Sequence, residues 1–156
     1  MYRYVLGVKT YKLFVLLFVI SLFTEILIGN IENLFFDINF SSSDEIGSIS
    51  KRSFPYFIFS VIVAPMLETA VFQKMTIGFC RVFIKNNLIC VIISAVIFGV
   101  MHLNGIAKII VITSGGIYLG LFYTVCKRRG LNAFWLTTLF HASWNLFVFT
   151  INFFDL

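Results

Sequence analysis

The stretch Phe54–Cys80, FPYFIFSVIVAPMLETAVFQKMTIGFC, decides how the chain is read. Its apolar run is interrupted only by Glu68 and by Gln73-Lys74. As a helix it rises about 40 Å, enough to cross a hydrocarbon layer of about 30 Å with some tilt. A carboxylate near the middle of such a span is costly and needs a reason.

The rest of the chain has the same character. Of 156 residues, 60% are hydrophobic, 18% aromatic and only 12% charged, with 20 Phe and 2 Pro. Soluble domains carry about 25% charged residues, so a water-facing surface cannot be assembled here, and disorder is excluded on the same grounds. The expected fold is all-α: a polytopic transmembrane helix bundle of about five spans, forming a single integral-membrane domain over residues 1–156. Five spans enclose a small polar cavity. They offer no repeat symmetry for a transporter, which is the weakest alternative.

Outward from Phe54, the first apolar run is Leu13–Ile28, preceded by Arg3, Lys9 and Lys12. No small-residue cleavage site follows, so residues 1–29 read as a retained signal-anchor span. Glu25 is expected near the far end of that span, within reach of the interface. Residues 30–53 hold Glu32, Asp37, Asp44, Glu45 and three consecutive serines, and read as an external polar loop, expected to be mobile. Further spans are expected over Leu88–Leu103, Ile109–Cys126 and Leu131–Phe154.

With the N-terminus in the cytoplasm, nine of the twelve basic residues fall inside, and only Lys51, Arg52 and Lys108 fall outside. That is the positive-inside bias, and it places the protein as multi-pass in the cell membrane. The formal charge of +5 is therefore a topology signal. A nucleic-acid partner is excluded, since no basic soluble face exists. Cys80, Cys90 and Cys126 have no C-x-x-C spacing and read as small packing residues. Gly116 and Gly120 form a G-x-x-x-G, read as a close helix-packing surface.

Three ionisable residues lie deep in the last four spans: Glu68, His102 and His141. At 1.5 Å per residue they fall within one band roughly 6 Å deep, so one cavity can hold all three. His141 and Asn145 are four apart and leave the same helix face. Phe98 and His102 are spaced alike, an aromatic wall beside a polar group, and Glu68 and Phe72 repeat the pattern with Thr69 and Gln73 on the next row. Pro65, three residues before Glu68, removes a backbone hydrogen bond and is expected to kink the helix. The structural alternative is a hydrogen-bonded network that only locks the bundle.

Three segments, Glu68-Thr69-Ala70-Val71-Phe72-Gln73, Phe98-Gly99-Val100-Met101-His102 and His141-Ala142-Ser143-Trp144-Asn145, resemble in order the motifs of the CPBP family. That family contains the CAAX prenyl proteases and bacterial Abi-type proteins, described as glutamic intramembrane proteases. Its pattern is E-E-x-x-x-R, then F-x-x-x-H, then H-x-x-x-N or H-x-x-x-D. Thr69 stands where the second Glu is usual, and Gln73 where the Arg is. The resemblance covers about Phe54 to Phe149, within a protease-like core over residues 54–154. It implies a hydrolase cutting a peptide bond in a membrane-anchored peptide or protein. Glu68 would activate water, His102 would hold or protonate the reacting group, and His141 with Asn145 would stabilise the oxyanion or leaving group.

No cofactor is expected. A zinc peptidase with His102, His141 and Glu68 as ligands is the minority alternative, although the H-E-x-x-H helix is missing and no second carboxylate remains to serve as base. The non-enzymatic alternative is a membrane partner or bacteriocin-immunity-type protein that keeps the fold. The substrate, its side of entry and the oligomeric state are not legible in the sequence.

Overall fold

In a computed structural model of the chain, residues 8–36, 53–102 and 106–154 are described. They form five helices: α1 (Thr10–Phe36), α2 (Phe54–Phe83), α3 (Asn87–Val100), α4 (Ile106–Arg128) and α5 (Ala133–Phe154). No strand occurs among the described residues. The protein is an all-α polytopic bundle. Helices α1, α2, α4 and α5 are long and apolar enough to cross a membrane, and α3 is a shorter apolar helix.

Two boundaries differ from expectation. Residues 30–36, read as the start of the polar loop, continue α1 as helix. The remainder of that loop, 37–52, lies outside the described residues, as do the N-terminal Arg3 and the end of the expected third span at 103–105. Helix α3 closes at Val100, and His102 follows it in a turn.

Local chemistry sets the helix ends. The Ser53 hydroxyl accepts from the Tyr56 N–H at 3.4 Å, and Asn86 Oδ1 accepts from the Leu88 N–H at 2.9 Å. These are N-caps on α2 and α3. After α4, Gly130 adopts a left-handed φ of 69°, and the Leu131 N–H reaches back to the Cys126 carbonyl at 3.1 Å. Glycine takes that conformation without a Cβ penalty, which turns the chain sharply into α5.

The exterior is apolar, with Phe23, Phe79, Val82, Phe83 and Trp135 all exposed. Thr69, Gln73, Ser94, Thr137 and His141 are buried instead. Lipid tails are as apolar as leucine, so burial of apolar area cannot drive these helices together; small residues, polar contacts and aromatic packing do. The ring of Phe14 on α1 meets Phe122 of α4 at 5.8 Å and Phe140 of α5 at 5.0 Å, both edge-on. Phe18 meets Trp144 at 5.5 Å. At the basic end, Arg129 donates to the Thr10 hydroxyl at 2.9 Å, tying the end of α4 to the start of α1.

Helices α3 and α4 approach most closely through glycines. A Cβ on Gly116 would lie 3.0 Å from Ala95 Cα, and one on Gly120 would lie 2.8 Å from Val91. The expected G-x-x-x-G surface is therefore a helix-packing surface. Gly99 on α3 answers it, since a Cβ there would run into Thr113 Oγ1 and come within 2.8 Å of the Ile109 carbonyl.

Candidate active site

Helix α2 carries the site because its backbone is unusual around Pro65. Two stretches, Phe59–Val63 and Thr69–Thr76, are wound as π-helix, with one α-helical turn, Ala64–Glu68, between them. In the first stretch the Ala64 N–H bonds to the Phe59 carbonyl, five residues back. The next donor in that register would serve the Ser60 carbonyl, but residue 65 is proline and has no N–H. The Ser60 carbonyl instead accepts from Asn145 Nδ2 of α5 at 2.8 Å. The expected kink thus takes the form of a wide turn, which frees a backbone acceptor for a neighbouring helix.

Glu68 closes the α-helical turn after Pro65. Its Oε2 lies 3.3 Å from His141 Nε2, and its Oε1 lies 3.8 Å from His102 Nε2. The side chains of Glu68 and His102 are 25% and 31% exposed, whereas that of His141 is 5% exposed. The carboxylate therefore bridges a buried imidazole on α5 and an accessible one beyond α3. A separation of 3.8 Å is too long for a direct hydrogen bond.

His102 is held from behind. Its Nδ1 is 2.8 Å from the Phe98 carbonyl, which can only accept, so Nδ1 carries a proton and Nε2 is the nitrogen that faces Glu68. The Phe98 ring packs edge-on against His102 at 4.8 Å and against His141 at 5.8 Å, and meets Phe72 at 5.0 Å. It walls the cluster on one side. Ser94, one turn before Phe98, donates to the Phe72 carbonyl at 2.6 Å and pins α3 to the second wide stretch of α2. The close packing of Gly99 against α4 fixes the level of both Phe98 and His102.

The structure thus brings together Glu68, His102, His141 and Phe98, and sets Asn145 one turn beyond His141. Thr69 and Gln73 are fully buried beside this cluster, and the Thr69 hydroxyl and both Gln73 amide atoms have no protein partner. Reading the sequence missed Ser60, Ser94 and Thr137, since an isolated hydroxyl residue in a span reads as packing. The spacing of four between Thr137 and His141 was the available signal.

Glu25 lies three residues before the end of the apolar span Thr10–Ile28, as expected. The helix itself runs on beyond it, and Glu25 sits beside α4, where a Cβ on Gly115 would be 3.4 Å from its Oε1. The neighbouring Thr24 hydroxyl shares a hydrogen bond with the Tyr118 hydroxyl at 2.8 Å. Among the described residues, no group of three or more His, Cys, Asp or Glu side chains has the geometry of a metal shell.

Fold and site together define an integral membrane protein with a Glu–His–His cluster held between its helices. The family model for "Type II CAAX prenyl endopeptidase Rce1-like" proteins matches residues 50–147, and the chain belongs to that family. It is also 30% identical over 134 residues to "Putative membrane peptidase YdiL" of Bacillus subtilis (strain 168). The match covers 84% of this chain and 52% of the relative, so the chain spans about half the length of the curated relative it matches. No solved structure gives a significant match.

Proposed function

We propose that the protein is an intramembrane endopeptidase. It hydrolyses a peptide bond in a membrane-anchored peptide or protein with a water activated by Glu68. The observation that carries this reading is the geometry of one carboxylate, with Oε1 3.8 Å from Nε2 of His102 and Oε2 3.3 Å from Nε2 of His141. A water lying beside Glu68 and His102, with His102 in its neutral form, donates one O–H to each, which leaves its oxygen lone pairs free to attack.

In the reaction, the water oxygen adds to the scissile carbonyl carbon as Glu68 Oε1 takes a proton. The carbonyl π electrons move onto its oxygen, giving a tetrahedral oxyanion. Asn145 uses one amide N–H on Ser60, and its second N–H stabilises that oxyanion without needing to transfer a proton. Collapse re-forms the carbonyl and breaks the C–N bond, and protonated Glu68 returns the proton to the departing amine. His141 donates Nε2–H to Glu68 Oε2 and aims the carboxylate. Residues 54–154 form the catalytic core, and the basic ends of the helices face the cytoplasm of a cell membrane.

The test compares membrane proteomes of cells carrying the wild type and Glu68→Gln, which keeps size and removes the base. Membrane-anchored precursors should accumulate uncleaved in the variant. An unchanged proteome with the full cellular phenotype retained would instead favour a binding role for the same fold.

A further inference from the structure

His141 has two ring nitrogens, and only Nε2 is accounted for by Glu68. Its Nδ1 is buried with no protein partner, on a residue that is 4% exposed. Four more residues in the same layer share that condition, one of them Thr138, whose hydroxyl leaves the helix about 100° round from that of Thr137. The Thr69 and Thr137 hydroxyls and both polar atoms of the Gln73 amide are buried without partners, and all three residues are 0% exposed.

The register of α2 against α5 brings these groups to one place. The helices are antiparallel and pinned at two levels: Glu68 meets His141 at 3.3 Å, and Lys74 Nζ lies 5.4 Å from the centre of the Phe134 ring. Thr69 to Gln73 on one helix therefore lies opposite Thr137 to Phe140 on the other, in the layer between those contacts. Thr137 and His141 are one helical turn apart and share a face, as do Thr69 and Gln73. An unpaired buried polar atom costs about 1–3 kcal/mol, so four residues with such atoms facing one layer need a common solution.

We propose that Thr69, Gln73, Thr137 and Nδ1 of His141 enclose a structural water-binding site directly behind the Glu68–His141 contact. Thr137 and Gln73 act there as positioning residues for His141. With Nε2–H donated to Glu68, Nδ1 is an acceptor and requires a donor. A water held by the two threonine hydroxyls and the Gln73 carbonyl oxygen supplies that donor, within the usual two to four partners of a buried water. It thereby fixes the His141 tautomer that aims Glu68, much as outer partners fix the tautomer of functional histidines elsewhere. This water is distinct from the attacking one, which sits on the accessible side beside Glu68 and His102. The role of the site in catalysis rests on the peptidase reading above; its existence does not.

The chain has only two histidines, so the full protein labelled with ¹⁵N-histidine in lipid nanodiscs gives two ring spin systems, separable with His102→Gln. Wild-type His141 should show a protonated Nε2, a hydrogen-bonded imine Nδ1, and a cross-peak from water to the imidazole. Thr137→Val keeps the shape and removes the hydroxyl. It should move the Nδ1 resonance downfield toward that of a bare imine and lower kcat about tenfold with KM unchanged. Thr137→Ser should restore both. Gln73→Leu should weaken the water cross-peak.

An unaltered His141 spectrum in Thr137→Val, or a wild-type His141 without a water cross-peak, would overturn the proposal. So would failure of Thr137→Ser to recover the wild-type spectrum. If the spectra respond as stated while Glu68→Gln still cleaves, Glu68 is not the base and the mechanism proposed above falls, while the water site stands. If the spectra do not respond while Glu68→Gln is inactive, only the water site falls.

Discussion

Asn145 on α5 donates its side-chain amide to the backbone carbonyl of Ser60 on α2 at 2.8 Å, and Pro65 is the reason that carbonyl is available. The Ala64 N–H reaches back five residues to Phe59. The following N–H would reach Ser60, and proline removes it. A residue that breaks a helix in water thus serves here to couple two spans.

Replacing Pro65 with Ala should give Ser60 an intrahelical donor and release Asn145. The variant should remain folded and helical, because it gains a backbone hydrogen bond. Cleavage should fall about tenfold to a hundredfold as the amide loses its fixed position. Asn145→Leu should fall at least as far, and combining the two should cost little more than Asn145→Leu alone. A fully additive double variant, measured by cleavage of a membrane-anchored reporter, would show that Pro65 acts elsewhere.

The two histidines flanking Glu68 should separate by their effect on folding. His102 is partly exposed in a turn after α3, so His102→Ala should lower the rate roughly 10²- to 10⁴-fold with little change in unfolding temperature. His141 is buried against Glu68 and the Phe98 ring. His141→Ala should reduce the rate as well and also destabilise the bundle by about 1–3 kcal/mol. Thermal unfolding in detergent beside the cleavage assay checks both, and equal destabilisation by the two changes would contradict the assigned burial.

What the sequence made legible was periodic and what it hid was mutual. Glu68 with Phe72, Phe98 with His102 and His141 with Asn145 each share a helix face by spacing alone, and depth counting placed the three ionisable groups in one layer. Gly116 and Gly120 announced a close surface by their spacing. Their counterpart Gly99 did not, because a single glycine inside F-G-V-M-H carries no period. The two π-wound stretches of α2 depend on how Pro65, Ser60 and Asn145 combine across helices, and Ser94 matters only because the Phe72 carbonyl stands in front of it. Acidic Glu32 made residues 30–36 look like loop, yet they continue α1.

Gly99 is the position where one methyl group should disturb the site from a distance. A Cβ there would collide with Thr113 Oγ1 and lie 2.8 Å from the Ile109 carbonyl, which is backbone and cannot rotate away. Gly99→Ala should push α3 from α4, cost about 1–3 kcal/mol and displace Phe98 and His102 together. Gly78→Ala is the matched control, since a methyl group at that position would have no neighbour within 4 Å. It should leave stability within about 0.5 kcal/mol of wild type, or raise it through better helix propensity.

Metal dependence separates the glutamate mechanism from a zinc peptidase that would use the same three side chains. In a zinc enzyme Glu68 would be a ligand, and the only carboxylate paired with the two histidines among the described residues would no longer be free to act as base. In the glutamate mechanism Glu68 is itself the base, and His102 has its Nδ1 proton committed to Phe98, with only Nε2 facing the carboxylate. Cleavage by the purified protein should therefore persist after prolonged treatment with strong chelators, and added zinc should not stimulate it. Zinc that binds His102 and His141 should inhibit by occupying the position of the attacking water. Loss of activity on chelation with recovery on stoichiometric zinc would reassign Glu68 from base to ligand.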